Sequence, residues 1–306
     1  MSVMTAIDLF AGAGGFTSGA LLAGVDVLWA ANHWQQSVDV HRANHPDVEH
    51  ACQDLQQYNW RRCPDHDLLL ASPACQGHSE AGQPGRGRPG VEERQQLDRN
   101  TAWAVVACAE TKRPRTILVE NVRPFQRWAL LPAWISALEL LGYCVCQHLF
   151  DAADWGVPQN RVRVVISARL GEPLELVSPG LEHRGFGECI DWHAGEWKPL
   201  KSKSWGVQSR VKAGRARGLG TRFLTHYVTG HKGRALSRPI GCITTKDQWA
   251  VVKGGKIRML SLTEARRAQD FEDDYHLPDT RNVCIRMLGN AIPVRFARGL
   301  VEQAVA

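Results

Sequence analysis

Residues 73 to 76, Pro-Ala-Cys-Gln, come just after the apolar run Leu68-Leu69-Leu70. Further along, the apolar run Ile117-Leu118-Val119 ends in Glu120-Asn121-Val122. Each run has the length and composition of a buried strand, which places Cys75 and Glu120 at the ends of two strands. A thiol and a carboxylate at neighbouring strand ends suit covalent attack on an electron-poor ring that is protonated as it is attacked. Cys75 alone would read as a small buried residue and Glu120 alone as an ordinary strand-end carboxylate. Their shared placement makes them candidates for a nucleophile and its acid, since strand ends line the ligand crevice of open sheets. Gln159-Asn160-Arg161-Val162-Arg163 adds cations: period-two alternation puts Gln159, Arg161 and Arg163 on one strand face. Either these are solvated charges on an edge strand, or the guanidinium groups point into the crevice to hold a carbonyl oxygen or a phosphate.

The elements that must position these groups alternate over the first 170 residues. Strands are predicted at Thr5–Phe10, Val25–Ala31, Asp67–Ala71, Thr116–Val119, Tyr143–Phe150 and Val162–Ala168, with helices over Asn100–Thr111 and Trp128–Leu141. The pattern predicts an α/β fold with a doubly wound, Rossmann-like parallel sheet. The first strand ends in Asp8-Leu9-Phe10-Ala11-Gly12-Ala13-Gly14-Gly15, a turn that lets the backbone approach a nucleotide; its spacing is not GxGxxG, and alone it is weak evidence. Residues 76 to 99 form a long polar connection with five glycines, expected to be a working lid. From Gly171 the regularity gives way to prolines, glycines and cations, which predicts a smaller irregular domain over 171–284. Ser261-Leu262-Thr263-Glu264 has capping-box spacing for a helix through about Gln269. A final apolar helix, within 285–306, is expected to return to the catalytic domain, 1–170.

Bulk composition narrows the classes. The chain has 306 residues, 44% of them hydrophobic, enough for a packed core. No apolar stretch approaches the roughly 18 residues of a membrane helix, and the first strand begins too early for a signal peptide, so a soluble, cytoplasmic protein is expected. The nine cysteines are odd in number and include no CxxC pair, which argues against a zinc site or a disulfide framework; no metal is expected. The net charge of +6 is concentrated: from Lys198 to Arg238 eleven Lys and Arg occur with no Asp or Glu. That run could be a solvated face, but its glycines and its Trp205, Phe223, His226 and Tyr227 favour a nucleic-acid surface.

Taken together, these motifs resemble those of the DNA (cytosine-5) methyltransferase family, nearly end to end and in the family's usual order. Residues 8–15 resemble its cofactor motif and Pro73-Ala74-Cys75-Gln76-Gly77-His78-Ser79 its nucleophile motif. Glu120-Asn121-Val122 matches its ENV motif, and Gly156 to Arg163 its QxRxR motif. Arg258 to Phe271 resembles the helix-forming motif beside the target-recognition segment, and Gly289-Asn290-Ala291-Ile292-Pro293 the last motif. The resemblance implies S-adenosyl-L-methionine as cofactor and a sequence-specific duplex DNA as substrate. It also implies a flipped-out base, attack of Cys75 on cytosine C6, protonation of N3 by Glu120, and Arg161 and Arg163 as the remaining catalytic cations, Arg163 on O2. Phe10, Gly12, Gly14, Gly15, His33, Trp34, Asp54, Pro73 and Asn290 would line the cofactor site, with Trp34 on the adenine and Asp54 at its amine. Gln83, Arg86 and Arg88 in the lid, and Arg215, Arg217 and Arg222 in the basic run, would meet the DNA.

A bacterial or phage-encoded monomer is expected, with a companion restriction endonuclease as a candidate partner. The alternatives on the same scaffold are a tRNA cytosine-C5 methyltransferase and a catalytically silent DNA-binding relative. Two positions depart from the family's pattern: Ala74 stands where proline usually precedes the cysteine, and Asn32-His33-Trp34 replaces Asn-Glu-Trp, whose glutamate meets the ribose hydroxyls.

Overall fold

The computed structural model describes residues 3–74 and 99–306. Cys75, Gln83, Arg86, Arg88 and most of the predicted lid lie outside the described residues. The chain divides into two compact units: residues 1–151, 162–179 and 294–306 form one, and residues 152–161 and 180–293 the other.

Unit 1 is built on a seven-stranded sheet: β1 (Thr5–Leu9), β2 (Asp26–Asn32), β3 (Glu49–Cys52), β4 (Leu68–Ala71), β5 (Thr116–Val122), β6 (Tyr143–Asp151) and β7 (Val162–Leu170). The order is β3-β2-β1-β4-β5-β7-β6. β1 pairs in parallel with both β2 and β4, so the winding reverses between β1 and β4, where such sheets open a ligand crevice. β7 runs antiparallel to both neighbours. Its first residues therefore lie beside the last residues of β5, with Arg163 opposite Val122. The six strands other than β3 follow the apolar runs of the sequence. β3, Glu-His-Ala-Cys, lies at the sheet edge and carries too few apolar residues to announce itself.

Helices α1 (Gly15–Leu22), α2 (Gln35–Asn44), α3 (Trp103–Lys112) and α4 (Leu131–Leu140) lie between the strands of unit 1. Ile7 and Leu9 of β1, Leu69 of β4 and Ile117 and Val119 of β5 form one core with Val105 and Ala109 of α3 and Trp134 and Leu138 of α4. Asp8, between Ile7 and Leu9, points to the opposite face and meets α1. Two predicted helix starts were early by about one turn: Trp128 belongs to the segment before α4, whose first turn carries Pro132, and Asn100 precedes α3.

Unit 2 contains a four-stranded antiparallel sheet, order β8-β11-β10-β9, made of Lys198–Pro199, Lys256–Met259, Trp249–Lys253 and Arg222–His226. Its Gly- and Pro-rich composition conceals these strands. Helix α5 (Trp205–Ala216) packs on the sheet through Val207 and Val211. Helices α6 (Leu262–Ala268) and α7 (Arg281–Asn290) complete the unit. The capping box at α6 has both its bonds: Ser261 Oγ accepts from Glu264 N, and Glu264 Oε2 accepts from Ser261 N. Glu264 also receives a bidentate pair from Arg258 at 2.6 and 2.7 Å, both side chains fully buried. A local helix signal thus doubles as the counter-ion of a buried cation.

The chain closes with α8 (Val294–Val305), which belongs to unit 1 and crosses α1. A Cβ at Gly19 would lie 2.6 Å from both Ala297 Cβ and Arg298 N, so only glycine admits this crossing. Among the described residues, no helix is long and apolar enough to cross a membrane.

Candidate active site

Glu120 sits on β5 two residues before Val122, on the same strand face, and Val122 faces Arg163 across the β5–β7 ladder. The diagonal brings Arg163 Nε to 2.8 Å from Glu120 Oε1, with side chains only 10% and 6% exposed. The contact is close enough for an ion pair, yet the Nε–H does not point at the oxygen: Oε1 is buried and receives no hydrogen bond. A carboxylate oxygen in that state is costly unless a donor completes it. Arg163 also donates from a terminal nitrogen to Val162 O at 2.8 Å.

The next residue, Asn121, ties this strand end to β4. Its side-chain amide donates to Pro73 O at 3.0 Å, and its own Oδ1 accepts from Val122 N at 2.8 Å. Ala74 N donates to Thr101 Oγ1 at 3.0 Å, just before α3. The two residues preceding Cys75 are therefore held by side chains from two separate segments. The backbone N–H that a proline would lack is used, and Thr101 is a partner that nothing in the local sequence announces.

Arg161 and Gln159, also predicted for this face, are spent elsewhere. Arg161 is buried in unit 2 and donates to Cys242 Sγ (3.3 Å), Ile243 O (3.0 Å) and Gly289 O (2.9 Å). Gln159 donates to Ala268 O and accepts from Ile243 N. Neither is a solvated edge residue; both tie together segments far apart in sequence. Gly289 is held so close to residues 244–245 that a Cβ would lie 2.3 Å from Thr244 C. Asn290 is the last residue of α7.

At the end of β1 the backbone turns left-handed at Phe10 (φ 61°), Gly12 (φ 58°) and Gly14 (φ 90°). A non-glycine residue in that region is uncommon and signals a locally enforced turn. Gly14 caps α1 with no side-chain hydrogen bond, and Ser37 Oγ donates to Gly12 O at 2.7 Å. Trp34, half-buried, heads α2, its N–H donated to Asn32 Oδ1 at 3.0 Å; His33 beside it is exposed. Asp54 is exposed, its Oδ1 accepting from Gln56 N at 3.0 Å.

Beneath this turn lies a buried network absent from the sequence reading. Asp8 Oδ2 accepts from Thr17 N (3.2 Å) and Thr17 Oγ1 (2.8 Å), so a strand residue caps the first turn of α1. Thr17 Oγ1 lies 3.0 Å from His41 Nε2, and His41 Nδ1 lies 2.8 Å from His50 Nε2. With the Thr17 proton given to Asp8, His41 Nε2 donates to Thr17 and a neutral His41 accepts from His50.

Burial pushes the Asp8 carboxyl up to about 7, against the two Thr17 hydrogen bonds. Burial, then His45 and His50, holds His41 well below the usual imidazole range. Burial, then His50, lowers His45 to about 4; burial, then Arg42, lowers His50. The histidines stabilise the fold above the unfolded imidazole value and lose that contribution as pH falls toward their folded values. Asp8 works in the opposite sense, its contribution present at low pH and lost as pH rises through about 7. In the window between, the three unfolded histidines bind more protons than the one folded carboxyl, so stability should fall on acidification. The urea midpoint is expected to drop between about pH 7 and about pH 5, and less steeply in His45→Gln; an equal drop in that variant would remove the cluster as the cause.

In unit 2 the three cations predicted to meet nucleic acid lie apart in function. Arg215 donates to Gly254 O at 2.6 Å, the Arg222 guanidinium lies 4.9 Å above the Trp192 ring, and Arg217 is exposed.

Comparison with known proteins shows which family the chain belongs to. The chain is 28% identical to the type II methyltransferase M.NlaX of Neisseria lactamica, over 98% of this chain and 96% of that one. It is 27% identical to the type II methyltransferase M.DsaV of Dactylococcopsis salina, over 98% and 85%. Among solved structures, the fold is shared with a Spodoptera frugiperda DNMT2 mutant, at TM-score 0.73 and 17% identity over 99% of this chain and 100% of that one. It is also shared with a putative DNA modification methyltransferase encoded within an E. coli prophage, at TM-score 0.72 and 18% identity over 99% and 98%. The model of the C-5 cytosine-specific DNA methylases matches residues 4–179 and 180–306, and the chain belongs to that family of DNA cytosine-5 methyltransferases.

Proposed function

We propose that this methyltransferase modifies cytosine C5 within one specific duplex DNA sequence, through a covalent Cys75–C6 intermediate on a base flipped out of the helix, with S-adenosyl-L-methionine as methyl donor. The supporting observation is the buried Glu120 Oε1, which receives no hydrogen bond and lies beside the Arg163 guanidinium. The exocyclic amine of a flipped cytosine would supply the missing donor, while ring N3 would accept a hydrogen bond, and then the proton, from the protonated carboxyl as charge builds there. The Cys75 thiolate attacks C6, the C5–C6 bond becomes enamine-like, and C5 becomes the nucleophile. Arg163 holds O2 and stabilises the charge drawn onto the ring. Loss of the C5 proton then lets the Cys75–C6 bond break and restores the aromatic ring.

S-adenosyl-L-methionine supplies an electrophilic methyl group when bound. The turn at Phe10, Gly12, Gly14 and Gly15 fits its methionine end: left-handed backbone and a helix that starts at a glycine let a charged ligand approach the polar backbone groups closely. Trp34 would stack on the adenine and Asp54 accept from its amine, with Pro73 completing the site and His33 at the ribose. We assign DNA phosphate contacts to Arg215, Arg217 and Arg222, and to Gln83, Arg86 and Arg88 outside the described residues. The likeness to type II methyltransferases supports a restriction–modification role with a companion endonuclease. Methyl transfer into duplex DNA and into tRNA, measured side by side, tests the substrate, and bisulfite sequencing of DNA from expressing cells gives the site. Transfer to tRNA alone would overturn this reading.

The two departures from the family's pattern, Ala74 and His33, give sharper expectations. Thr101→Val should leave the Ala74 N–H unpaired and slow single-turnover transfer about tenfold, the equivalent of roughly 1.4 kcal/mol. Adding Ala74→Pro removes the unpaired donor and should recover most of that loss; a double variant as slow as Thr101→Val would show that the bond does not position the chain. His33→Glu supplies a carboxylate that can accept from both ribose hydroxyls, so calorimetry should show S-adenosyl-L-methionine bound at least as tightly as by wild type. Much weaker binding would mean that the ribose does not lie at residue 33.

A further inference from the structure

Helix α5 shows an outward face that its own fold does not use. Val207, Val211 and Gly214 face the sheet of unit 2, and the approach at Gly214 is close: a Cβ there would lie 2.6 Å from the Phe223 ring. That contact fixes the rotation of the helix. The opposite side then carries Trp205, Ser209, Lys212 and Ala216 at i, i+4, i+7 and i+11, one continuous stripe at helical spacing. Trp205 is 82% exposed, the most exposed aromatic side chain among the large hydrophobics of the described residues. Gln208 flanks the stripe but donates its amide to Lys203 O at 2.7 Å. Lys201 and Lys203 precede the helix, and no Asp or Glu occurs from Lys198 through Lys246.

An indole left in water on a helix face with Lys212 and no acid of its own, within a run of chain rich in Lys and Arg, calls for a polyanionic partner with apolar or π surface of its own. Duplex DNA has both. A helix about 10–12 Å across matches a major groove about 12 Å wide. Small residues at 209 and 216 let the helix backbone lie close to the groove floor. The indole Nε1–H is donor only, so it suits base edges that present acceptors, and the ring suits the thymine methyl.

We propose that the outward face of α5 is the element of unit 2 that enters the DNA major groove, with Trp205 reading a base pair and Lys212 contacting a phosphate. The assignment rests on the proposed action on duplex DNA. It gives the sequence-reading role to a helix face rather than to the arginines of the run, of which Arg215 and Arg222 already contact Gly254 O and the Trp192 ring.

The experiment compares full-length wild type, Trp205→Ala and Lys212→Ala by fluorescence anisotropy. The probes are a duplex carrying the site found by bisulfite sequencing, a scrambled duplex of equal length, and an RNA duplex, over a salt series. Trp205→Ala is expected to weaken binding to the site about tenfold or more while changing scrambled-duplex affinity less than about twofold, the scale of one lost base contact. Lys212→Ala is expected to weaken both DNA duplexes alike and reduce the log–log salt slope by about 0.9. Both variants alter exposed positions and should melt with wild type. A Trp205→Ala protein that keeps the wild-type ratio of site to scrambled affinity overturns the groove assignment while leaving the DNA reading intact. A wild type that prefers the RNA duplex overturns both.

Discussion

Cys75→Ser should abolish methyl transfer, by a factor of about 10⁴ to 10⁶, the scale on which removal of a covalent nucleophile acts. Two properties of the thiol set this size. An ordinary cysteine loses its proton near pH 8.5, so a working fraction is thiolate at neutral pH, whereas a serine hydroxyl stays protonated without a strong base beside it. The thiolate is also a good leaving group, which the final elimination requires. The same mechanism makes a positive prediction: wild type should become covalently trapped on duplex DNA carrying 5-fluorocytosine. The adduct at C6 forms and C5 is methylated, but fluorine cannot leave as the proton does, and the Cys75–C6 bond persists. A denaturing gel should show the shifted band with wild type and none with Cys75→Ser. An active serine variant, or no trapped species with an otherwise active protein, would sink covalent catalysis. The side chain of Cys75 is outside the described residues; what the structure contributes is the pinned chain before it, with Pro73 O bound to Asn121 and Ala74 N to Thr101.

Glu120→Gln should cost both rate and stability, and the two can be separated. The rate should fall about 10² to 10⁴-fold, the usual worth of a positioned acid. Stability should fall by about 3–5 kcal/mol, because the buried Arg163 guanidinium loses its counter-ion. Both side chains are at most 10% exposed, so solvent screening of this pair is small. Replacing both residues together, Glu120→Gln with Arg163→Met, removes the stranded charge and should restore most of the stability without restoring the rate. Urea unfolding and single-turnover transfer on the same three proteins give the answer. A Glu120→Gln enzyme within about threefold of wild type would remove Glu120 from the chemistry, and a double variant that regains activity would make the pair purely structural.

The inner strands β1, β2, β4, β5 and β7 were legible because each is an apolar run bounded by polar or glycine punctuation, as burial on both faces demands, and the edge strand β6 was legible through the alternation of its Cys144-Val145-Cys146 segment. β3 was not, since an edge strand need not be apolar on both sides. The α6 capping box was legible because its hydrogen bonds span only three residues. The buried Arg258 partner of Glu264 was not marked as a pair by any local rule.

The sequence by itself determined which residue types could do the chemistry and roughly which strand ends they occupy: Cys75 after β4, Glu120 at the end of β5, and glycines after β1. It also determined that Arg161 and Arg163 share a strand parity. Tertiary structure alone decided that these two arginines part company. β7 enters the sheet antiparallel between β5 and β6, which sets Arg163 diagonal to Glu120, while Arg161 turns its guanidinium to the carbonyls of Ile243 and Gly289. The same holds for Thr101 at Ala74 and for the Asp8–Thr17–His41–His50 chain. Alternation along a strand is a local steric rule and can be read from spacing. Which acceptor a buried donor meets depends on register and packing between segments far apart in the chain, and no single segment carries that information.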